Sequence, residues 1–539
     1  MDPAIQEFLD EHVSELAPRY HATTHTLWEA RTRSSPASAQ AAALAESAYR
    51  ELYTDPGDSA RVTDWLQQPN GSSSPLQRRS LELLRHAYLE NAVSRDELDE
   101  LVRKSEAIST EFINWRGTVD GEPVSSNDIL RILAESRDEG ERLQAWEASK
   151  SIGPRVAGRL RELVHHRNRV AQRLGFRDHY AMSLEIQEIP ESTLLALAEE
   201  LRARTEEPWR RMKTLMDKGI AGRMGIEVTE LAPHHFDDPF GQSGPRSTGI
   251  RSHLDQLFEE VDPVALCVRY FEGIGLPVDG ILARSDLYER PGKDQHAFCI
   301  DMDRGGDVRV LCNVRSDERW TGIMLHELGH GVYELGYPPE LPFLLRRPAH
   351  ILATEAVAQF FGRLTRNPAW LGRMLDLSPD DVAQLAGPLR LERSRTMLLF
   401  ARWCLVMIHF ERALYADPDR EDLNTLWWSL VQEFQGIAPP ANVESREDWA
   451  TKNHLSMAPV YYHNYILGEM LASQLDQRIR GSVLRPGEPP VETPGIGRFL
   501  GDEVFAPGGL PHWTDLIMRT TGSPLGPDAF LADFASADS

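Results

Sequence analysis

The sequence predicts a mainly α-helical protein, and three observations lead to that fold class. Apolar residues recur at helical spacing along most of the 539-residue chain, as Ile5, Leu9, Val13 and Leu16 do near its start. One stretch has the alternation and the glycine-rich turn that are typical of a β-hairpin. The breaks rich in glycine, proline and serine are too short to be linkers between independent domains.

The same reasoning locates the main elements in chain order. The segment "TMLLFARWCLVMIHFERALY" is apolar on nearly all sides, which indicates a buried helix. A hairpin is predicted from "QHAFCIDM", "DRGG" and "DVRVLCNV", and a small sheet at that place could offer a strand edge to a peptide. Other helices are predicted at Arg159–Phe176 and 192–205, and loops at Gln67–Pro75, His234–Gly249 and Arg485–Gly497.

We therefore expect one multi-lobed domain over residues 1–539. Its approximate parts are an N-terminal helical lobe at 1–250 and a second helical part at 251–539, which carries the motifs described below. In the middle loop, His234 and His235 are adjacent, so we expect their side chains to face apart and treat both as ordinary loop residues.

Composition and charge narrow the range of partners. A net charge of −24 would repel a phosphate backbone and an anionic bilayer, so we expect neither nucleic acid nor a membrane as a partner. The N-terminal segment lacks the basic and apolar regions of a signal peptide, and no apolar run approaches the roughly 20 residues of a membrane span. These features predict a soluble, cytoplasmic protein and leave its oligomeric state open.

The four cysteines form no C-x-x-C pair, which is typical of reduced thiols. Cys299 and Cys312 could face each other across the predicted hairpin. We nevertheless expect free thiols, because disulfides are rare in the cytosol.

The segment "TGIMLHELGHGVYELGY" contains His326, Glu327 and His330 in the H-E-x-x-H pattern of zinc hydrolases. Residues four apart lie on one side of a helix, so both imidazoles can point at one ion, and Glu327 can reach a water molecule beside it. Apolar neighbours give the segment a buried helical face. That face favours a metal site over the alternative, a surface helix with two solvated histidines.

A catalytic zinc site needs a third protein ligand and one open position. Glu355 lies in the next predicted helix, whose other side chains are mostly apolar. A buried helix has little reason to carry an isolated carboxylate unless that group is paired or acts as a ligand. Glu334 is the alternative, but its reach from the helix of His330 is poor. We predict one Zn²⁺ per chain, held by His326, His330 and Glu355, with Glu327 as general base.

The C-terminal third contains segments suited to holding a peptide. "LWWSLVQEFQGIAPP" and "KNHLSMAPVYYHNYILGEM" resemble the angiotensin-converting-enzyme family of peptidyl-dipeptidases. "YFEGIGLP", "LYERPGKDQHAFCIDM" and "AWEASKSIGPRVAGRLRELVHHRNRVAQRLGFRDHYAMSLE" resemble further segments of that family, in the same order. The step to Glu355 and "HLSMAPVYYHNY" are closer to the related thimet oligopeptidase family. Both resemblances imply a two-lobed helical body with a deep central groove and a small β-hairpin beside the H-E-x-x-H helix.

The resemblance also implies a role for individual residues. It gives the same zinc ligands and the same general base as the reasoning above. His454 matches a histidine that hydrogen-bonds the tetrahedral intermediate, and Tyr465 matches a tyrosine that donates to the oxyanion. The residues implied in substrate binding are His296, Ala297, Lys452, Tyr462 and Glu185. Of these, Lys452 and Tyr462 match residues that hold a free C-terminal carboxylate.

Each of these residues also has an ordinary structural interpretation. Lys452 could be a solvated lysine, His296 a half-buried histidine on a strand, and the tyrosines of "YYHNY" a packed aromatic cluster. The functional interpretation is favoured because Lys452, His454 and the tyrosines lie within one short segment.

Four positions depart from the family pattern. Gln359 replaces an aspartate that orients a zinc-ligating histidine, and a neutral amide orients it less strongly. Val431 and Asn464 replace chloride-binding arginines, so we predict activity that does not require chloride. In "FDDPFGQ", Asp238 would replace a glutamine of the carboxylate pocket, where it would repel the C-terminus of a substrate.

The leading prediction is a zinc peptidyl-dipeptidase that removes C-terminal dipeptides from short peptides. An endo-acting oligopeptidase would use the same zinc without a C-terminal anchor. A specialised peptide-processing or biosynthetic hydrolase would act on one modified peptide. A peptide-binding protein without activity is disfavoured because His326, Glu327, His330 and Glu355 are all present.

Overall fold

α-Helices dominate the computed structural model of the chain, which confirms the mainly α-helical fold class. The structure describes residues 2–68, 73–242, 244 and 248–535. Within these ranges, no helix is both long enough and apolar enough to cross a membrane. The same ranges contain two antiparallel two-stranded sheets, formed by β1 (Gly117–Val119) with β2 (Glu122–Val124) and by β3 (Phe298–Asp301) with β4 (Val308–Leu311).

Many helices begin at a proline, where its missing N–H is not needed. The helices are α1 (Pro3–Thr32), α2 (Pro36–Glu51), α3 (Pro56–Gln67), α4 (Pro75–Glu90), α5 (Arg95–Asn114), α6 (Ser126–Glu135), α7 (Glu139–Lys150), α8 (Gly153–Arg173), α9 (His179–Ile186), α10 (Glu191–Met224), α11 (Thr248–Phe258), α12 (Pro263–Gly273), α13 (Asp279–Leu282), α14 (Glu318–Leu335), α15 (Ile351–Gly362), α16 (Pro368–Met374), α17 (Pro379–Ala416), α18 (Leu423–Gln435), α19 (His454–Met457), α20 (Tyr462–Ser482), α21 (Pro494–Phe499), α22 (Trp513–Thr521) and α23 (Asp528–Phe534). The helices predicted from periodicity correspond to α1, α8, α10 and α17.

The chain folds into two compact units, neither of which is continuous in sequence. Unit 1 comprises Met1–Ala92, Gly249–Leu389 and Leu467–Ala529, and unit 2 comprises Val93–Thr248, Arg390–Ile466 and Phe530–Ser539. This division differs from the predicted parts at 1–250 and 251–539, because helices from the chain start pack with segments from its second half. The single domain and the central groove stay predictions.

In unit 1, helix α1 packs on the β3–β4 hairpin. The rings of Trp28 and Phe298 lie 6.0 Å apart, and Thr24 Oγ1 donates to the carbonyl of Met302 at 2.7 Å. A second core joins α1, α3 and α4 to the segment that follows α14. Its buried members are Ile5, Phe8, Leu9, Leu16, Tyr53, Val62, Leu81, Leu84, Tyr88 and Leu344.

The hairpin predicted from alternation is confirmed. Phe298 pairs with Leu311 and Asp301 with Val308, and the turn lies between these strands. Arg304 and Gly306 adopt positive φ values of 51° and 112° in that turn. Glycine adopts positive φ without strain, which explains why the sequence of the turn is rich in glycine.

In unit 2, Trp209, Met212 and Met216 of α10 pack against Leu398 and Leu399 of α17. The nearly all-round apolar character of α17 is explained by such burial on several sides.

The predicted loops and free thiols also have clear outcomes. α3 ends at Gln67 and α4 begins at Pro75, and residues 69–72 of that loop lie outside the described residues. Parts of the middle loop, at 243 and 245–247, lie outside them as well. The loop predicted at Arg485–Gly497 ends earlier than predicted, because α21 begins at Pro494. All four cysteines are free thiols, as expected.

Candidate active site

Helix α14 carries the H-E-x-x-H residues in unit 1, and α15 packs closely against it. Asp317 caps α14 by accepting the N–H of Trp320 at 2.6 Å. A Cβ atom added at Gly329 would lie 2.9 Å from the ring of Phe361 and 3.0 Å from Cα of Ala358. Glycine is therefore required at that place in the motif, because any side chain would push α15 away.

The two helices bring together His326, His330 and Glu355, as the sequence predicts. Their candidate ligand atoms all lie within 4.8 Å of one another. His326 Nε2 is 3.9 Å from Glu355 Oε2, and the two imidazole centroids are 4.9 Å apart. Burial lowers the pKa of His326 to about 4 and that of His330 to about 3. Both rings are thus neutral near pH 7, and each keeps a lone pair for a metal ion.

Hydrogen bonds from α15 orient both histidines. His330 Nδ1 lies 2.7 Å from the Thr354 hydroxyl, which can accept its proton and so leaves Nε2 free as a ligand atom. The ring of His326 hydrogen-bonds to the main-chain carbonyl of Ala358. Gln359, which the sequence suggests as the orienting residue, has its side-chain oxygen buried without a partner among the described residues. The orienting role therefore falls to Thr354 and Ala358, which sequence reasoning missed.

Glu327 lies on the same helix, between the two histidines in sequence, and only 8% of its surface is exposed. Burial, and then the charge of Glu355, raise the pKa of Glu327 to about 8, while a main-chain hydrogen bond from Cys299 of β3 opposes that rise. The hairpin thus holds the carboxyl group in place. Glu334, the alternative third ligand, is absent from the candidate ligand group, and burial raises its pKa to about 7.

Unit 2 contains a second cluster of metal-ligand type, made by Glu139, His234 and His235. The expectation that the two histidines face apart is wrong. They lie in a 3-10 turn, with ring centroids 4.1 Å apart. His234 Nε2 is 2.6 Å from one carboxylate oxygen of Glu139, and His235 Nε2 is 2.7 Å from the other. A tight turn aims adjacent side chains more nearly alike than an extended chain does.

The proton positions distinguish the two clusters. His235 Nδ1 accepts the N–H of Ala232 at 2.8 Å, so the proton of the neutral ring is on Nε2, where it donates to Glu139. That nitrogen has no lone pair to give to a metal. At His330 the hydrogen bond is on Nδ1, and Nε2 is free. The donor chemistry of His326, His330 and Glu355 therefore fits zinc better than that of Glu139, His234 and His235.

His296 and Ala297 lie just before β3 in unit 1. The side chain of His296 is exposed, and the main-chain N–H of His296 donates to Asp294 Oδ1 at 3.0 Å. The half-buried histidine on a strand is therefore not found, because β3 begins two residues later. Within the described residues β3 pairs only with β4, and on its other edge the main-chain N–H of Cys299 hydrogen-bonds Glu327.

Unit 2 brings Lys452 into a buried aromatic environment. Its surface is 5% exposed, and its Nζ lies 4.9 Å from the ring of Phe240, 5.0 Å from Trp403 and 5.3 Å from Tyr462. Burial lowers its pKa to about 8, although the charge of Asp238 opposes this. The alternative of an ordinary solvated lysine is excluded by this burial.

Gln242 is the hydrogen-bond partner of Lys452, with its Oε1 2.9 Å from Nζ. Sequence reasoning placed Asp238 at this position of the pocket instead. Asp238 Oδ1 accepts the main-chain N–H groups of Phe240 and Gln242, at 2.9 and 3.2 Å, and its charge also acts on Lys452, so its place in the pocket stays a prediction. Gln242 is the last residue of "FDDPFGQ", four residues after Asp238, so the same segment contains the residue that hydrogen-bonds Lys452.

His454, Tyr462 and Tyr465 lie beside Lys452. The ring of His454 is 4.9 Å from that of Tyr462, and the ring of Tyr462 is 5.4 Å from that of Tyr465. Burial, followed by the charge of Lys452, lowers the pKa of His454 to about 4. Burial raises the pKa of Tyr462, so its hydroxyl keeps its proton. The tyrosines form an aromatic cluster as well as a candidate site.

The remaining predicted residues take different positions. Glu185 is exposed in the last turn of α9. Asn464 is fully buried and donates to Gln187 at 2.8 Å, and Val431 lines an apolar cavity with Trp427. The predicted zinc ligands His326, His330 and Glu355 belong to unit 1. The predicted residues of unit 2 are Glu185, Lys452, His454, Tyr462 and Tyr465.

Comparison with known proteins gives a family match. A family model described as angiotensin-converting enzyme matches residues 2–218 and 276–480, which is most of the chain. The matched ranges include the H-E-x-x-H helix and the segment from Lys452 to Tyr465. They omit His234 and His235, so the second cluster is not a shared feature of the match.

Individual relatives are distant. Bovine angiotensin-converting enzyme is 22% identical over 65% of this chain and 29% of its own length. The mouse angiotensin-converting enzyme-like protein Ace3 is 22% identical over 76% of this chain and 59% of its own length. Carboxypeptidase 1 of Bacillus subtilis (strain 168) is 24% identical over 53% of this chain and 59% of its own length. The chain thus spans less than two thirds of each relative.

Proposed function

We propose, from the premise that this chain belongs to the angiotensin-converting enzyme family, whose members are zinc peptidases, that it is a zinc metallopeptidase removing dipeptides from the C-termini of short peptides. The observation that carries the C-terminal preference is the buried ammonium of Lys452 beside Gln242 and Tyr462. A buried cation, a neutral amide and a protonated tyrosine together suit a carboxylate. A peptide's free C-terminus is the carboxylate that every linear substrate offers.

His326, His330 and Glu355 would hold the zinc ion in this proposal. When bound, zinc supplies Lewis acidity toward a water molecule and toward the peptide carbonyl. Glu327 accepts a proton from water and delivers it to the leaving amine, a role that suits a carboxyl group placed between His326 and His330 on one helix. His454 and Tyr465 stabilise the negative charge that develops on the carbonyl oxygen.

The substrate residues would then act as follows. Lys452 and Tyr462 hold the terminal carboxylate with Gln242, and His296 and Ala297, just before β3, bind the backbone. Glu185 stays a proposed subsite residue.

The test compares a free-acid peptide with the same peptide carrying a C-terminal amide. We expect the amide to be cleaved at least about tenfold less efficiently, because it lacks the charge that Lys452 would hold. Lys452→Met should remove that preference, and Lys452→Arg should keep part of it. Equal kcat/KM for the acid and the amide would contradict the C-terminal anchor.

A second candidate is the release of single C-terminal residues, which is favoured by the match to a bacterial protein named Carboxypeptidase 1. Mass spectrometry of the products separates the candidates. Dipeptides support the main proposal, and single residues support the second. Internal fragments would indicate the endo-acting oligopeptidase, and cleavage of one modified peptide alone would indicate a processing enzyme.

Chloride independence stays part of the proposal. Asn464 donates to Gln187 where the family pattern has a chloride-binding arginine, and Val431 is uncharged. Chloride added at constant ionic strength should therefore change kcat/KM by less than about twofold. A many-fold stimulation would contradict this.

A further inference from the structure

Val460 has a backbone conformation that its side chain disfavours. It lies two residues before α20, and its φ is 51°, in the left-handed region. A β-branched residue in that region is strained, and the conformation persists only when its surroundings enforce it. Its side chain is 1% exposed.

Two side chains hold the two polar groups of Val460. Its N–H donates to Oε1 of Glu411, on α17, at 2.9 Å. Its carbonyl accepts from Nε2 of Gln187, at the end of α9, at 3.0 Å. Glu411 is 2% exposed. All three residues belong to unit 2.

Gln187 also holds the first turn of α20. Its Oε1 accepts from Asn464 Nδ2 at 2.8 Å and lies 2.9 Å from His463 Nε2. Gln187 itself is fixed by the end of α9, where Glu188 adopts a φ of 56°. The helix start is thus tied to the same amide that holds Val460.

A third group fixes the preceding helix. Arg167 of α8 donates to the carbonyls of Leu455 and Ser456 at 3.1 and 2.6 Å, and so holds α19, which begins at His454. The segment from His454 to Tyr465 is therefore held by the buried Glu411 and the partly exposed Gln187 and Arg167, which do not belong to the candidate site.

We propose that Glu411 and Gln187 are positioning residues, which hold Val460 in the left-handed conformation and thereby set the places of Tyr462 and Tyr465. If Val460 relaxed to a negative φ, the chain direction at the start of α20 would change. A displacement of about 1 Å in a reacting group can cost on the order of 100-fold in rate. This inference rests on the roles that the proposed function gives to the two tyrosines.

The chemistry of Glu411 offers a conservative variant. Burial raises its pKa to about 7, so a neutral acceptor suits the site. Glu411→Gln keeps an oxygen that can accept the N–H of Val460, whereas Glu411→Leu has none. We expect kcat/KM of the first within about threefold of the parent, and that of the second lower by about 10–100-fold.

Glycine at position 460 provides the decisive control. Glycine adopts positive φ without strain, so Val460→Gly should restore at least about tenfold of the activity lost in Glu411→Leu. Val460→Ala removes nearly as much side chain but keeps the strain, and it should not restore activity. A purely structural role for Glu411 would lower the melting temperature without any rescue that distinguishes glycine from alanine.

Hydrogen exchange gives a readout that needs no substrate. Amides of residues 459–466 should exchange at least about tenfold faster in Glu411→Leu than in Glu411→Gln. If Glu411→Leu does not fold, Gln187→Met removes the bond to the Val460 carbonyl and provides the same test. A parent chain that cleaves no peptide would contradict the proposed function, and exchange would still test the positioning.

Three results would overturn the proposal. One is parental exchange and parental kcat/KM in Glu411→Leu. Another is equal rescue by glycine and alanine at position 460. The third is faster exchange with unchanged kcat/KM, because the start of α20 would then have no part in the reaction.

Discussion

The two histidine–carboxylate clusters have the same composition but differ in what surrounds them. Each contains two histidines and a glutamate with ligand atoms within 4.8 Å. In the cluster of His326, His330 and Glu355, neighbouring groups bind the far side of the rings and leave lone pairs free. In the cluster of Glu139, His234 and His235, the Nε2 atoms of both rings face the Glu139 carboxylate at hydrogen-bond distance.

The comparison teaches that donor identity and spacing do not by themselves make a metal site. The position of the proton on each imidazole ring determines which nitrogen keeps a lone pair for a metal. That position is set by the hydrogen bond that the other ring nitrogen makes. Thr354 leaves a ligand nitrogen free at His330, whereas the N–H of Ala232 removes one at His235. The first cluster is suited to zinc, whereas the histidines and the carboxylate of the second cluster are already hydrogen-bonded to one another.

The largest expected effect is on kcat, when the proposed general base Glu327 is replaced. Glu327→Gln should lower kcat by about 10²–10⁴, because the amide cannot accept a proton from water. Zinc content should stay near the parental value. The matched control is Glu139→Gln, which should leave kcat unchanged. Steady-state kinetics with metal analysis check this, and unchanged hydrolysis in Glu327→Gln would exclude the assigned base.

The next effect is on zinc affinity. Glu355→Gln removes one of three proposed ligands and should weaken zinc binding by more than the 10–100-fold typical of an orienting group. Glu139→Gln should bind zinc like the parent. Competition with a chromophoric chelator measures both constants. Loss of zinc in Glu139→Gln alone would assign the metal to the other cluster.

A smaller effect is expected at the orienting hydroxyl. Thr354→Val removes the partner of His330 Nδ1 with little change of shape, and zinc affinity should fall by about 10–100-fold. Thr354→Ser keeps the hydroxyl and should stay within a few-fold of the parent. The same chelator competition measures the two variants. Equal affinities for valine and serine would show that Thr354 does not orient the histidine.

The smallest effect is on stability at the second cluster. Glu139→Gln leaves one of the two imidazoles without an acceptor, and solvent reaches this half-exposed site, so we expect a loss of about 1 kcal/mol near pH 7. Burial acts to raise the pKa of Glu139, but the hydrogen bonds from His234 and His235 keep that pKa below its ordinary value of 4.5. The stabilisation is therefore complete above about pH 4.5 and is lost as the pH falls through the folded-state pKa.

Urea unfolding of parent and Glu139→Gln at several pH values measures this difference. If the difference in unfolding free energy between the parent and Glu139→Gln grew as the pH falls below 4.5, the predicted direction of the pH dependence would be wrong. Thr354→Ser, which lies in the other cluster, serves as a control whose stability should not follow the same pH dependence.

The sequence was most informative where the signal is local. Helical periodicity predicted the fold class, alternation predicted the β3–β4 hairpin, and the i, i+4 spacing predicted that His326 and His330 would converge. Glu355 was predicted from an isolated carboxylate in an apolar helix. Each of these signals is carried by one continuous segment, so no tertiary information is needed.

The sequence was least informative where residues from distant segments meet. Gln242 and Lys452 are far apart in the chain, as are Glu411 and Val460, and no local pattern links them. Glu139 lies on α7, far from His234, so the second cluster could not be seen. The left-handed conformation of Val460 has no signal at all, because valine is the residue type least expected there.

Anomalous diffraction at the zinc absorption edge, on crystals of the protein purified without added metal, tests the central claim most directly. We predict one strong peak per chain, within bonding distance of His326, His330 and Glu355. A peak at Glu139, His234 and His235, with none beside Glu327, would contradict the account.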